Sequence, residues 1–279
     1  MRIANLAGRL ALLTDAGAVD VQRASAGRFD ADPQSVYTRW DEFSAWATDA
    51  PVAEAAAFDD ATLVAPAPRP TQVFGIGLNY RDHAAEAGLD LPTSPPVFTK
   101  FASSLTGPQG QIVLPGTTVD WEVELVVVIG RPARNVTVAD GWDHVAGLTV
   151  GQDLSERSVQ LAGPAPQFSL GKSFPGFGPT GPWLVTPDEL PDRDDLALGC
   201  TVNGEPVQKG RTSDLIFSVP ELIARLSAVL PLLPGDLIFT GTPAGVGGAR
   251  NPQRFLNVGD ELVTTIEGIG EMRHRFVAP

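Results

Sequence analysis

Residues 121–130 read Trp-Glu-Val-Glu-Leu-Val-Val-Val-Ile-Gly. The run Leu125–Ile129 is too apolar for a surface strand, so it reads as a buried one with the two acids at its mouth. Side chains alternate along a strand, which sends Glu122 and Glu124 to the same side. Two carboxylates beside a core repel each other and lose hydration, and a cation between them offsets both effects. Asp153, at the end of the next apolar stretch, adds a third acid. An all-oxygen set suits a hard divalent cation, Mg²⁺ with Mn²⁺ or Ca²⁺ as alternatives, better than Zn²⁺. The same Glu-x-Glu pattern also fits the solvated face of an edge strand, and taken alone it leaves both readings open.

Working outward, the segment after residue 70 is β-rich. Strands are expected at Gln72–Ile76, Val97–Lys100, Trp183–Val185, Ala197–Val202, Asp236–Thr240 and Glu261–Glu267, and Asn203-Gly204 marks a hairpin. Helices are expected at about Asp82–Gly88 and Val219–Leu230, with a short one at Val138–Ala146. Before residue 70 come two short strands, Ile3–Leu6 and Arg9–Thr14, and a helix from Asp32 or Ser35 through Trp40, Phe43 and Trp46. Leu63 to Pro70, with Pro66, Pro68 and Pro70 alternating, cannot continue a helix and reads as a linker. The division is a small N-terminal α+β domain and linker, 1–70, followed by a mixed α/β, β-rich domain, 71–279.

Composition narrows the function classes. The chain has 279 residues, 43% hydrophobic and 19% charged, which is the balance of a globular protein. A net charge of −13 with no basic run argues against nucleic acid and anionic membrane partners. No stretch approaches the roughly 18 apolar residues that span a bilayer, and no signal peptide is apparent, so a cytoplasmic location is the default expectation. Cys200 is the only cysteine, which excludes an internal disulfide and a thiolate metal site.

Two glycine-rich segments carry no nucleotide signature. Gly75-Ile76-Gly77 lacks the third glycine of a dinucleotide fingerprint, because Tyr80 stands there, and Gly241–Gly248 lacks the Lys-Ser/Thr of a phosphate loop. In Asn79-Tyr80-Arg81-Asp82-His83-Ala84-Ala85-Glu86, His83 and Glu86 share one face of a short helix. A carboxylate beside an imidazole fixes its tautomer and raises its basicity, as a general base requires. An incidental surface ion pair has the same spacing. Lys172, in Phe-Ser-Leu-Gly-Lys-Ser-Phe (168–174), could face an enolate or carboxylate, or be an ordinary surface lysine.

Seven segments in order resemble the fumarylacetoacetate hydrolase superfamily over about residues 71–279. They are Gly-Leu-Asn-Tyr-Arg-Asp-His-Ala-Ala-Glu (77–86), Pro-Val-Phe-Thr-Lys (96–100), the 121–130 stretch, Gln-Asp-Leu-Ser-Glu-Arg-Ser-Val-Gln (152–160), Gly-Lys-Ser-Phe (171–174), Val-Asn-Gly-Glu (202–205) and Thr-Gly-Thr-Pro-Ala-Gly-Val-Gly (240–247). The resemblance is closest to acylpyruvate hydrolase and 2-hydroxyhepta-2,4-diene-1,7-dioate isomerase-like members. It implies a rolled mixed β-sheet with Glu122, Glu124 and Asp153 as metal ligands and His83 and Glu86 as an acid–base dyad on a lid. It also implies Lys172 as a catalytic cation, a pocket lined by Tyr80, Arg81, Lys100, Arg157, Gln160 and Thr242, and a homodimer. Pro175 stands where members often carry Asp, and Trp121 where Tyr or His is common. Both departures touch loops near the pocket and leave the ligand set intact.

The implied activity is Mg²⁺-dependent hydrolysis of a C–C bond in an acylpyruvate-type 2,4-dioxo acid through an enolate. His83 would activate the water and Lys172 would stabilise the enolate. Decarboxylation of oxaloacetate, or isomerisation of the heptadienedioate, passes through the same kind of intermediate. A metal- or ligand-binding protein without catalysis is the reading from another class, and the His83–Glu86 pair argues against it.

Overall fold

The computed structural model describes residues 1–50 and 54–279. The chain forms a mixed α/β, strand-rich fold of open sheets. Along the large sheet the strands run Gly17–Asp20, Arg9–Thr14, Arg2–Leu6, Gly178–Val185, Val145–Gln152, Val123–Ile129, Leu237–Phe239, Val73–Ile76 and Val97–Thr99. Most neighbours are antiparallel, but Leu237–Phe239 runs parallel to Val73–Ile76. A second sheet orders Glu205–Arg211, Ala197–Val202, Glu261–Ile266, Gly270–Val277 and Gln109–Val113.

Every residue of Val123–Ile129 is buried. Its odd-numbered residues, Val123, Leu125, Val127 and Ile129, join a core shared with the second sheet and with the helix Val219–Val229. Val126 and Val128 face the other way, into a core with Ile3, Leu10, Phe29, Tyr37 and Phe43. Removing one such side chain from water is worth about 1.5–3 kcal/mol, so this strand anchors both layers. Glu124 lies on the Val126 face and is 1% exposed, a position where a carboxylate needs compensating partners.

The strands Arg2–Leu6, Arg9–Thr14, Gly17–Asp20 and Leu63–Val64 of the N-terminal segment are built into the same sheet. Arg2–Leu6 pairs with Gly178–Val185, and Leu63–Val64, inside the expected linker, pairs back onto Arg2–Leu6. The helix expected from Asp32 divides into a 3₁₀ turn, Pro33–Arg39, capped by the Asp32 carboxylate, and an α-helix, Trp40–Thr48. The helix expected at Val138–Ala146 is reduced to a 3₁₀ turn at Gly141–His144, because Val145 already begins a strand. Val219–Val229 starts with a capping box between Ser218 and Glu221, as its sequence encodes. No described helix is long and apolar enough to cross a membrane.

His274 is fully packed between strands and donates from Nε2 to the Gly107 carbonyl at 3.0 Å, while its buried Nδ1 meets no acceptor among the described residues that would hold a second proton. Burial pushes its pKa down from 6.5 to about 4. The unfolded chain therefore binds this proton first as pH falls, and stability is lost between about pH 6.5 and 4, on the order of 3 kcal/mol in all. His274→Gln is expected to flatten that part of the acid slope in urea unfolding; an unchanged slope would show that the imidazole does not carry it.

Candidate active site

Three buried carboxylates meet where Val123–Ile129 and Val145–Gln152 begin and end side by side. Glu122, Glu124 and Asp153 each offer an oxygen, and these oxygens lie within 4.8 Å of one another. The backbone fixes the spacing: Asp153 N–H donates to the Glu122 carbonyl at 2.9 Å, and Glu122 N–H donates to Gln152 Oε1 at 2.8 Å.

Their charge is partly balanced by cations from distant parts of the chain. The Lys172 ammonium donates to Glu122 Oε2 at 2.8 Å, Asp153 Oδ2 at 2.7 Å and Ser155 Oγ at 2.8 Å, using all three of its protons. It is buried, so the surface-lysine reading does not hold. Lys100 donates to Asp153 Oδ1 at 2.6 Å and to the Lys172 carbonyl. Arg157 Nη1 lies 2.8 Å from Glu122 Oε1, while Nε and Nη2 grip Asp120 Oδ2 at 2.9 and 2.6 Å.

The three acids are therefore not equivalent. Burial works against the Glu122 carboxylate, but Lys172 and Arg157 outweigh it and hold its pKa low. Burial also opposes the Lys172 charge, and Asp153 and Glu122 keep that amine protonated. Among the described residues Glu124 makes no ion pair: burial, then repulsion from Asp153 and Glu122, outweighs the pull of the nearby Lys172 charge and drives its pKa well above the carboxylate range. Its one hydrogen bond to a backbone amide comes from Gly241 N–H at 2.8 Å. Gly241 has φ +103°, and a Cβ there would lie 2.7 Å from Asn79 Cβ, so the turn that delivers this N–H favours glycine. A buried carboxylate with no direct ion-pair partner beside two others is what a hard cation neutralises, and the donor set fits Mg²⁺, Mn²⁺ or Ca²⁺.

The acids open into a cavity of about 280 Å³ that Glu122, Glu124, Arg157, Gln160, Lys172 and Thr242 line at its polar end. Ile76, Leu78, Leu89, Pro96, Phe98 and Phe168 form its apolar wall. His83 also lines it, from the helix Arg81–Glu86. Its Nδ1 is 3.2 Å from Glu86 Oε2, which places the proton on Nδ1 and leaves Nε2 as the base. Glu86 is itself held, accepting Gly245 N–H at 3.0 and 3.1 Å.

Three of the expected pocket residues stand elsewhere. Tyr80 is buried in the core beneath the site, with the nearby Glu124 among the charges that reinforce burial in raising its pKa. Arg81 is exposed on the outer side of its helix, and Lys100 sits behind Asp153 without lining the cavity. Conversely, sequence reasoning passed over Asp120. This fully buried acid accepts from Gly247 N–H at 2.7 Å and Gly248 N–H at 2.8 Å while it orients Arg157. The Gly-rich segment 241–248 is thus an anion-binding loop whose anions are the protein's own carboxylates. Trp121 is buried against that loop, donating to the Gly245 carbonyl at 3.1 Å.

Residues 72–277 match the fumarylacetoacetate (FAA) hydrolase C-terminal domain. The chain belongs to this family. A human relative, mitochondrial oxaloacetate tautomerase FAHD2A, is 44% identical over 220 residues, covering 78% of this chain and 70% of the relative. A crystal structure from Mycobacterium smegmatis, provisionally described as an HpcE protein, is 59% identical with a TM-score of 0.97, covering 100% of this chain and 99% of that one. Maleylpyruvate hydrolase from Sphingobium sp. SYK-6, solved with manganese(II) and pyruvate, is 29% identical with a TM-score of 0.76, over 100% and 99% of the two chains. Family members include both hydrolases and isomerases, so family membership identifies an enzyme scaffold with a metal-compatible acid triad and leaves the reaction to the site's chemistry.

Proposed function

We propose that this protein is a divalent-metal-dependent enzyme that moves a proton between carbon and oxygen of a small 2-oxo acid, interconverting its keto and enol forms. The observation that carries this reading is that His83, paired with Glu86, lines the same cavity as Glu122 and Glu124 of the acid triad. A cation held by Glu122, Glu124 and Asp153 would supply Lewis-acid polarisation of the 2-oxo group. His83 Nε2 takes the proton from C3 and returns it to the enolate oxygen, or the reverse, and Glu86 stabilises the imidazolium between the two transfers. Lys172 holds positive charge beside the developing oxyanion, and the apolar wall limits water. The name of the human relative supports oxaloacetate as a substrate, and the manganese(II) in the maleylpyruvate hydrolase structure supports a divalent ion of that kind, Mn²⁺ or Mg²⁺.

The second reading is hydrolysis of an acylpyruvate. It is favoured by the apolar side chains of the cavity wall, which suit an uncharged acyl group. In that reaction His83 removes a proton from water attacking the distal carbonyl, and C–C cleavage releases a pyruvate enolate that is then protonated.

Parallel assays distinguish them: decay of the enol absorbance of oxaloacetate, and pyruvate release from a panel of acylpyruvates and from oxaloacetate, each with Mg²⁺ and with Mn²⁺. Metal-dependent enol decay without pyruvate release is the expected result. Pyruvate release from acylpyruvates, with enol decay at the uncatalysed rate, would put the hydrolase reading first.

A further inference from the structure

Val123 lies between two of the acids, and its backbone is held in an unusual way. The strand Leu237–Phe239 pairs with Val126–Val128 and then leaves the ladder. Thr240 still donates to the Leu125 carbonyl, but two residues back no strand remains to serve Val123. Side chains take over. Val123 N–H donates to Gln208 Oε1 at 2.9 Å, and the Val123 carbonyl accepts from Thr242 Oγ1 at 2.8 Å. Gln208 Nε2 closes the ring by donating to Thr242 Oγ1 at 2.8 Å, and donates also to the Pro243 carbonyl at 2.8 Å.

This ring has a definite proton inventory. A threonine hydroxyl has one hydrogen, and here it is spent on Val123, so Thr242 has none to give a ligand although it lines the cavity. The Gln208 amide is likewise complete, since its oxygen also accepts from Cys200 Sγ at 3.3 Å. Gln208 is 4% exposed, belongs to Glu205–Arg211 of the second sheet, and is absent from the cavity wall. The loop it secures through Pro243 is the one whose Gly241 N–H holds Glu124.

We propose that Gln208 and Thr242 are positioning residues for the acid triad. By clamping Val123 they set the directions in which Glu122 and Glu124 leave the backbone, and they tie cation affinity to the second sheet. Thr242 acts toward Val123 and not as a donor to substrate. The inference rests on the carboxylates being a cation site and is independent of which 2-oxo acid reacts.

Calorimetric titration with Mn²⁺ alone, without substrate, tests it. Gln208→Ala is expected to weaken Mn²⁺ binding by about 10- to 100-fold, the range for residues that orient metal ligands. Thr242→Val, a smaller perturbation that guards against misfolding of the first variant, should weaken Mn²⁺ similarly. Thr242→Ser keeps both bonds and should restore wild-type affinity, and the Gln208→Ala/Thr242→Val pair should lose little more than either alone. Wild-type Mn²⁺ affinity in Thr242→Val, with KM alone raised, would overturn the proposal and return Thr242 to substrate binding. Absence of Mn²⁺ binding by the unaltered protein would overturn the cation site itself, and this inference with it.

Discussion

Glu124→Gln is expected to abolish the rise in Tm that Mg²⁺ or Mn²⁺ gives the unaltered protein, and to take activity to background. At a cation concentration of 100 times Kd that rise corresponds to about 2.7 kcal/mol. The substitution singles out the triad member with no cationic partner. Glu122 is held by Lys172 and Arg157, and Asp153 by Lys172 and Lys100, whereas Glu124 has one backbone N–H, from Gly241. Burial and its two neighbours raise its pKa in the fold, so its carboxyl adds stability at low pH that is lost as pH rises through the raised value. The cation reverses that loss. Metal-dependent stabilisation should therefore grow with pH in the unaltered protein and vanish at every pH in Glu124→Gln. The variant removes a buried repulsion while keeping an oxygen for Gly241, so without metal it should unfold no more easily than the parent at pH 8. A Tm that still rises with Mn²⁺ in this variant would refute the ligand assignment.

That contrast among the three acids shows what a linear sequence can and cannot carry. The alternation Glu-x-Glu followed by five apolar residues is a local signal, and the strand it implies is present and buried on both faces. The helix Val219–Val229 and the hairpin at Asn203-Gly204 are local in the same sense. Countercharge is not local. Lys100, Arg157 and Lys172 come from three separate segments, and the fold alone shows which carboxylate each meets. Strands with little apolar pattern were also illegible. Gln109–Val113 buries only Ile112, and Gly270–Val277 carries a charge or His at most alternate positions, yet both complete the second sheet. Likewise, the residues of the loop 241–248 showed the absence of a phosphate-loop lysine and a family resemblance, and gave no sign of what its backbone N–H groups hold. Its N–H groups serve Glu124, Glu86 and Asp120, a role that depends on φ values and on partners more than a hundred residues away.

His83→Ala should lower kcat by about 10²–10⁴-fold, the range for a positioned acid–base group, while leaving the metal-dependent rise in Tm in place. The separation is expected because His83 stands on the helix Arg81–Glu86 and the triad on the ends of two sheet strands, so its loss removes no carboxylate. Glu86→Gln should do less harm: Gln can still accept Gly245 N–H and the Nδ1 proton, but it no longer stabilises the imidazolium, and the loss should fall on kcat more than on KM. The reactions respond differently to losing the base. Keto–enol transfer needs His83 in both directions, and hydrolysis needs it to activate water, whereas decarboxylation of oxaloacetate breaks its C–C bond without removing a proton from carbon or water. A His83→Ala variant that loses enol decay but keeps the metal-dependent rise in Tm would locate the proton transfer at this imidazole and the cation site at the triad, whereas pyruvate release from oxaloacetate that survives in it would point to decarboxylation instead. Enol decay at the unaltered rate in that variant would remove His83 from the mechanism, and with it the reason for preferring a proton-transfer enzyme over one that only polarises its substrate.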